Sequence, residues 1–204
     1  MGPRLAGVDG CRLGWVVATD DGVEVVPALD DVLVQCDAVG IDIPIGLPDA
    51  GPRACDVEAR RRLGPRRSSV FPAPRRALLP CRDWAAASGV SRQAFNLLPK
   101  IAEVDALVTP ALQDRVLEVH PELAFAALHG SRPMAHPKRT ALGRAERLTA
   151  LALDDVPRVR GAAPDDVLDA LAVLASMRRW AAGRAEHLGD GAVDARGLRM
   201  EIWF

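Results

Sequence analysis

The chain has 204 residues, of which 49% are hydrophobic and 26% are charged, and its formal net charge at pH 7 is -1. This length and composition predict a single folded domain over residues 1–204 with a sizeable core. The balanced charge excludes a general affinity for polyanions, so any binding of nucleic acid would have to come from local basic patches.

The cysteines and the apolar segments bound the cellular context. The four cysteines are far apart and form no C-x-x-C pair, which argues against a zinc site and against a disulfide framework. No early apolar stretch is long enough for a signal peptide, and none reaches the roughly 18 residues of a membrane span. The sequence therefore predicts a reduced, cytoplasmic protein that does not associate with membranes.

The first 44 residues read as strands. Apolar, β-branched runs separated by glycine and by an Asp-Asp-Gly turn predict strands at 5–9, 14–20 and 23–28. A short amphipathic segment at 28–36 predicts one or two helical turns. The continuous apolar run AVGIDIP at 38–44 predicts a strand that is buried on both faces.

A helical and arginine-rich insertion is predicted at about 45–112. Its first part is rich in proline, glycine and arginine and brackets a predicted helix at about 53–63. Further helical segments are predicted around 81–88 and 91–107. A long irregular excursion inside a compact domain is usually functional.

The remaining chain predicts one more buried strand and two long helices. The strand lies within RVLEVHPE at 115–122, and the helices lie at about 140–152 and 164–184. The tail GLRMEIWF alternates apolar residues as an edge strand would. Three antiparallel strands followed by two crossover-linked parallel strands predict an α/β fold, a mixed five-stranded sheet with helices on both faces.

Carboxylates interrupt three of the predicted strands near their ends. Asp9 ends the first strand, Asp42 lies near the end of the fourth, and Glu118 lies near the end of the fifth. If these strands run parallel and side by side, the three acids converge within about 10 Å. Ligand sites in open α/β sheets form at this carboxyl edge.

Two further acids lie on the predicted helix PDDVLDALAVLASMRR. Asp166 and Asp169 are three residues apart, so they share a helix face that could close over the same sheet edge. Clustered carboxylates repel each other, and a hard divalent cation such as Mg²⁺ removes that penalty. Two such ions can clamp the attacking and leaving oxygens of a phosphoryl displacement.

Each acid also has a plainer interpretation. Asp9 precedes a glycine and could be a turn residue, and Asp42 could cap the following loop. Asp165 and Asp166 could cap a helix. The convergence of all these positions at one predicted edge favours the metal site, with Glu122 as a reserve candidate.

Two stretches of the chain are locally basic. Residues 53–76 hold eight arginines and a local net charge of +6, and residues 132–147 have a local net charge of +4. Patches of this kind bind phosphate, although Arg60–Arg62 fit a solvated helix face better. The predicted substrate contacts lie in segments broken by proline or glycine, and they are Arg75, Arg76, Lys138 and Arg144.

Lys100 and His120 each allow two interpretations. Lys100 follows a proline inside an apolar helix pattern, and it either reaches the acidic edge as a substrate contact or extends to water. His120 either assists proton transfer or serves as a structural histidine.

With these residues identified, the chain resembles domain-of-unknown-function family 429, a group of predicted nucleases with a ribonuclease-H-like fold. The resemblance runs nearly end to end and is carried by GVDGCRLGWVVA, IDIPIGLP, CDVEARRRLGPRRSSVFPAP, FNLLPKIAEVDAL, EVHPELAFAAL, KRTALGRAERL and DDVLDALAVL. It implies a sheet in the order 3-2-1-4-5. It also implies metal-dependent phosphodiester chemistry at Asp9, Asp42, Glu118, Asp166 and Asp169. The D-x-x-D-A portion is similar to the terminal helix of Holliday-junction resolvases.

The leading hypothesis is a nuclease that uses Mg²⁺ or Mn²⁺, two ions in all, with water as the nucleophile and a nucleic-acid phosphodiester as the substrate. Asp9 would bridge the ions, and the other four acids would complete their coordination. The alternative is a non-catalytic module of the same fold that binds nucleic acid or a protein partner. A nucleotide phosphotransferase is disfavoured because no complete glycine-rich phosphate loop follows the first strand.

Overall fold

The computed structural model describes residues 2–87 and 89–204. The strands of this part of the chain are β1 (Leu5–Cys11), β2 (Gly14–Thr19), β3 (Gly22–Val26), β4 (Ala38–Ile41), β5 (Val116–Glu118), β6 (His187–Leu188) and β7 (Ile202–Trp203). Its α-helices are α1 (Asp30–Gln35), α2 (Ala54–Leu63), α3 (Arg92–Leu107), α4 (Pro121–Leu128), α5 (Ala141–Leu151) and α6 (Pro164–Ala181).

The main sheet has five strands in the order β3-β2-β1-β4-β5. β2 pairs antiparallel with both β1 and β3, whereas β1, β4 and β5 run parallel to one another. This confirms the predicted mixed α/β sheet of ribonuclease-H-like order 3-2-1-4-5. The tail predicted as an edge strand forms β7, which pairs with β6 in a separate two-stranded sheet and touches the main sheet through an isolated bridge between Val119 and Trp203.

Helices cover both faces of the sheet, as the alternation of its apolar residues requires. Val8 and Ile41 belong to a core that also contains Ile101 and Val104 of α3 and Leu33 of α1. The strand residues that point to the other face of the sheet belong to a second core, which is built largely from α4 and α6. No helix in the described part of the chain is long and apolar enough to cross a membrane.

Two glycines in neighbouring strands let α6 lie directly against the sheet. Gly7 of β1 and Gly40 of β4 are register partners. A Cβ atom built on Gly7 would lie 2.1 Å from the backbone nitrogen of Leu174 and 2.3 Å from the carbonyl oxygen of Ala170. Because no side chain separates β1 from α6, the first half of the helix is held over the end of β1.

Replacing Gly7 by alanine is therefore expected to destabilise the protein strongly, by about 3 kcal/mol or more, since the obstacle is helix backbone. Gly40→Ala is the matched control, because its added Cβ would meet side chains, those of Met177 and Val173 at 2.8 Å, and not helix backbone. We expect a smaller loss for this control, about 1–2 kcal/mol. Chemical unfolding measures both, and equal losses would show that backbone contact with α6 does not govern this packing.

Between β4 and β5 the chain makes a long excursion over residues 42–115. Helices α2 and α3 appear where the sequence predicted helices, at about 53–63 and 91–107. Short 3₁₀ segments at Gly64–Ser69, Arg76–Leu78, Trp84–Ala86 and Leu112–Asp114 make up part of the rest. The excursion brings the segment Gly64–Ser69 to the sheet edge where the acids lie.

Candidate metal centre

Three aspartates converge at the carboxyl edge of the parallel strands. One carboxylate oxygen from each of Asp9, Asp42 and Asp169 lies within 4.8 Å of the others. Val8 and Ile41 are register partners, so the residues that follow them, Asp9 and Asp42, emerge together on the α6 face of the sheet. Asp169 projects from the first half of α6, which the close approach at Gly7 holds in place.

The environment of this triad, Asp9, Asp42 and Asp169, disfavours negative charge. Burial, followed by repulsion from Asp42 and Asp169, holds the pKa of Asp9 well above its usual range. Burial raises the pKa of Asp42 to about 7 and that of Asp169 to about 6, although the ammonium of Lys138 opposes both shifts. A divalent cation would relieve this repulsion, and carboxylate oxygens are the hard ligands that Mg²⁺ and Mn²⁺ prefer. The donor set therefore fits the predicted ion.

Glu118, which the sequence predicted as a metal ligand, lies outside the triad. Glu118 is the register partner of Ile41, and side chains alternate along a strand, so it points to the face opposite Asp42. Both of its oxygens accept hydrogen bonds at 2.7 Å from the guanidinium of Arg53, and one also accepts from the Ile45 N–H at 2.7 Å. The carboxylate is thus already neutralised.

Arg53 is the centre of a buried polar network that sequence reasoning missed. Its side chain is 1% exposed, and it also pairs with Asp56 and donates to the carbonyls of Ile45 and Gly46. The network ties the start of α2 to β5 and to the loop that follows Asp42. Arg53 therefore positions the backbone next to the triad without entering it.

Replacing Glu118 by glutamine separates the two interpretations of this residue. Because Arg53 would lose its charged partner, we expect the free energy of unfolding to fall by about 3 kcal/mol. The affinity for Mn²⁺ should change less than about threefold, whereas loss of a true ligand would cost more than about 100-fold. Thermal unfolding and Mn²⁺ titration measure the two quantities. Asp114→Asn is the control, because its side chain is 80% exposed.

Asp166 lies beside the triad and outside its shared ligand positions. Its negative charge contributes to the raised pKa of Asp9. One carboxylate oxygen accepts a hydrogen bond of 3.3 Å from the Ala163 N–H at the start of α6. The helix-cap interpretation of Asp166 is thus realised in the structure, and the residue adds charge next to the site.

Of the five predicted substrate contacts, Lys138 comes closest to the acids. Its ammonium group donates a hydrogen bond to Asp169. Its positive charge opposes the upward pKa shifts of Asp9, Asp42 and Asp166. Lys100 lies on the other side of β1, where its Nζ atom donates to the Gly14 carbonyl at 2.5 Å and lies 4.1 Å from the centre of the Trp15 ring.

Gly10 makes this position of Lys100 possible. A Cβ atom on Gly10 would lie 2.6 Å from the Cδ atom of Lys100. The glycines on either side of Asp9 thus have different partners, helix α6 at Gly7 and a lysine side chain at Gly10.

Arg76, which the sequence predicted as a substrate contact, is paired with two acids and is not among the residues that line the pocket beside the triad. It pairs with Asp105 at 2.5 Å and with Asp194, whose side chain is fully buried. Arg75 is exposed and lines a separate pocket of about 410 Å³ with several prolines. Arg144 is exposed on α5 and is not among the residues that line the pocket beside the triad.

A pocket of about 620 Å³ opens beside the triad. Asp42, Glu122 and Asp169 form its acidic side. Its other lining residues include the cations Arg66, Lys138 and Arg139 and the polar residues Ser68, Ser69, Gln93 and His120. The pocket thus combines metal-binding carboxylates with cations that can bind phosphate oxygens.

Glu122, the reserve candidate of the sequence, lines this pocket. One of its oxygens accepts hydrogen bonds from Arg147, whose side chain is fully buried, and from Arg66 at 3.4 Å. Its other oxygen, Oε2, is buried without a hydrogen-bond partner in the described part of the chain. Sequence reasoning missed Arg147, although its place among apolar positions of a predicted helix was the available signal.

His120 acts as a helix cap. Its Nδ1 atom accepts a hydrogen bond of 3.2 Å from the Glu122 N–H at the start of α4, and its Nε2 atom lies 3.4 Å from the Ser69 carbonyl oxygen. Burial lowers the pKa of His120, so the imidazole is neutral at pH 7. These contacts favour the structural interpretation of this residue.

Comparison with known proteins agrees with the resemblance of the sequence. A family model described as "Protein of unknown function (DUF429)" matches residues 7–193. The chain belongs to this family. No match was found among curated proteins, nor among solved structures. The matched region of this DUF429 protein includes the whole triad and the lining of the adjacent pocket.

Proposed function

We propose that this DUF429 protein is a divalent-metal-dependent phosphodiesterase, a nuclease that hydrolyses a phosphodiester bond of nucleic acid. The observation that carries the proposal is the convergence of Asp9, Asp42 and Asp169 at the carboxyl edge of parallel strands, next to a pocket with a cationic wall. In open α/β sheets, ligands bind at this edge, where the three acids lie.

The three aspartates would hold Mg²⁺ or Mn²⁺. A bound ion of this kind polarises phosphoryl oxygens and lowers the pKa of a bound water molecule. The cations Arg66 and Arg139 line the same pocket and would bind the phosphates that flank the scissile bond. The buried Oε2 atom of Glu122, which has no partner in the described part of the chain, would accept a hydrogen bond from the attacking water.

The lining of the pocket also bears on how the substrate is recognised. Among the described residues, its lining includes no phenylalanine or tryptophan, so it offers no broad aromatic platform for bases. Recognition would rest on phosphate and sugar, which gives strong dependence on salt and little dependence on sequence.

The decisive experiment is hydrolysis of labelled single-stranded DNA, duplex DNA, RNA and an RNA–DNA hybrid, each with Mn²⁺, Mg²⁺ or EDTA. We expect cleavage of at least one substrate with a divalent ion, no cleavage in EDTA, and no cleavage by Asp9→Asn. Cleavage that survives in Asp9→Asn would contradict the proposal.

The second candidate is a non-catalytic module that binds nucleic acid or a protein partner. The contact between Lys138 and Asp169 favours it, because a lysine already neutralises part of the acidic charge. This candidate predicts salt-dependent binding of nucleic acid with no turnover and no measurable affinity for Mn²⁺. The same protein preparation tests both, since Mn²⁺ binding separates them before any substrate is added.

A further inference from the structure

The loop between α4 and α5 places Lys138 next to the triad, and contacts with α5 fix the position of that loop. Glu146 accepts hydrogen bonds from the backbone N–H groups of Ala135 at 2.7 Å and His136 at 3.1 Å. A Cβ atom on Gly143 would lie 2.0 Å from the Pro137 carbonyl oxygen, so the loop rests directly on the helix. The position of Lys138 is therefore built into the fold.

The ammonium group of Lys138 interacts with all three aspartates of the triad. It is hydrogen-bonded to the Oδ2 atom of Asp169, and its charge also acts on Asp9 and Asp42. A hydrogen bond to a carboxylate favours the charged form of a lysine, so Lys138 is a cation at this site.

Two carboxylate oxygens of the triad already accept hydrogen bonds. Asp9 Oδ1 accepts from the Gly10 N–H at 2.7 Å, and Asp169 Oδ2 accepts from Lys138. An ion that takes one of the other oxygens from each aspartate leaves Asp42 with the single triad oxygen that has no partner. A second ion would need ligands from outside the triad, where Glu118 is bonded through both oxygens to Arg53 and Glu122 is paired with Arg147 and Arg66.

The charges at the site also favour a single divalent ion. The three carboxylates of the triad and the ammonium group of Lys138 carry a net charge of about −2, which a single divalent cation balances. The neighbouring carboxylate of Glu122 is already paired with Arg147 and Arg66, and Asp166 is partly exposed to solvent. A second divalent cation would place uncompensated positive charge beside Lys138 and would be repelled by it.

We propose that the ammonium group of Lys138 takes the place of a second metal ion, so that the triad binds one Mg²⁺ or Mn²⁺ ion. The proposal rests on the metal-dependent function proposed above. It replaces the two ions that the sequence predicted with one. Lys138 would then supply the positive charge that a second ion otherwise offers to the phosphate, and it would do so without dissociating.

The test is the stoichiometry of Mn²⁺ binding at pH 8, measured by calorimetry and by electron paramagnetic resonance. Each measurement is repeated with a phosphorothioate thymidine dinucleotide, so that an ion recruited by a phosphodiester is also counted. We expect one ion in the wild type under both conditions and two ions in Lys138→Met. The first ion should bind Lys138→Met about tenfold more tightly, because a nearby positive charge is gone.

Two further variants keep the result interpretable. Lys138→Arg retains the charge and should bind one ion, which shows whether charge or side-chain shape sets the number. Arg144→Met removes an exposed cation of α5 and should match the wild type. Circular dichroism checks that each variant is folded.

The possible failures are distinguishable. Two ions in the wild type, or one ion in a folded Lys138→Met, would overturn this inference and leave the proposed function standing. A wild type that binds no Mn²⁺ at all would instead contradict the proposed function.

Discussion

Replacing Asp42 by asparagine is expected to abolish Mn²⁺ binding and yet to make the metal-free protein more stable. Metal affinity should fall more than about 100-fold. Replacing residues that only hydrogen-bond to metal ligands already costs about 10- to 100-fold. Cleavage of nucleic acid, the activity proposed for the protein, should disappear with it. Stability should rise because asparagine removes a carboxylate that burial and neighbouring acids disfavour.

The pH at which stability is measured decides the size of the gain. The pKa of Asp42 is raised to about 7 in the folded protein, so the folded state holds its proton more tightly than the unfolded state does. That contribution is present at pH 4 and is lost as the pH rises through 7. Asparagine never loses a proton, so the variant should be more stable by about 1–2 kcal/mol at pH 8, or about 4 °C in melting temperature.

Melting temperatures at pH 5 and pH 8, without and with Mn²⁺, test this expectation. Asp154→Asn, which removes an exposed carboxylate beyond α5, should leave all four values almost unchanged. With Mn²⁺ the order should reverse, since the ion stabilises the wild type alone. A variant that is less stable than the wild type at pH 8 without metal would show that Asp42 has a structural role.

Much of this site could be predicted from the sequence, because Asp9 and Asp42 interrupt apolar strands whose carboxyl ends must meet in a parallel arrangement. Asp169 was accessible in the same way, as a charge beside the apolar stripe of a helix. The order of the sheet was implied by the family resemblance, whereas the pattern of strands and crossovers alone predicted only a mixed sheet. The placement of the three acids uses periodicity along a single element.

The sequence did not reveal partners that are distant along the chain. The pattern of the fifth strand places Glu118 at the correct edge, but its face depends on the register with β4, which the sequence does not specify. The partner that neutralises it, Arg53, lies 65 positions away between a proline and an alanine. The same holds for Arg76, since Asp194 lies 118 positions away.

The affinity for Mn²⁺ is expected to rise by about 100-fold or more between pH 5 and pH 8. A metal ion binds carboxylates, so protons on the triad must leave before it binds. With pKa values raised to about 7 for Asp42 and about 6 for Asp169, these two residues carry protons at pH 5 and have largely lost them by pH 8. These values describe the coupled group, so one smooth rise with a plateau above pH 8 is expected.

Isothermal titration of Mn²⁺ at pH 6 in two buffers with different ionisation enthalpies gives a second, independent measure, the number of protons released. We expect about one to two protons per ion from Asp42 and Asp169 at pH 6, and many fewer from these two residues at pH 8. Asp154→Asn is the matched control, because Asp154 is exposed beyond α5 and lies outside the triad. An affinity that stays constant from pH 5 to pH 8 would mean that the triad is ionised throughout. In that case Lys138 alone would suffice to hold three adjacent carboxylates in their charged form.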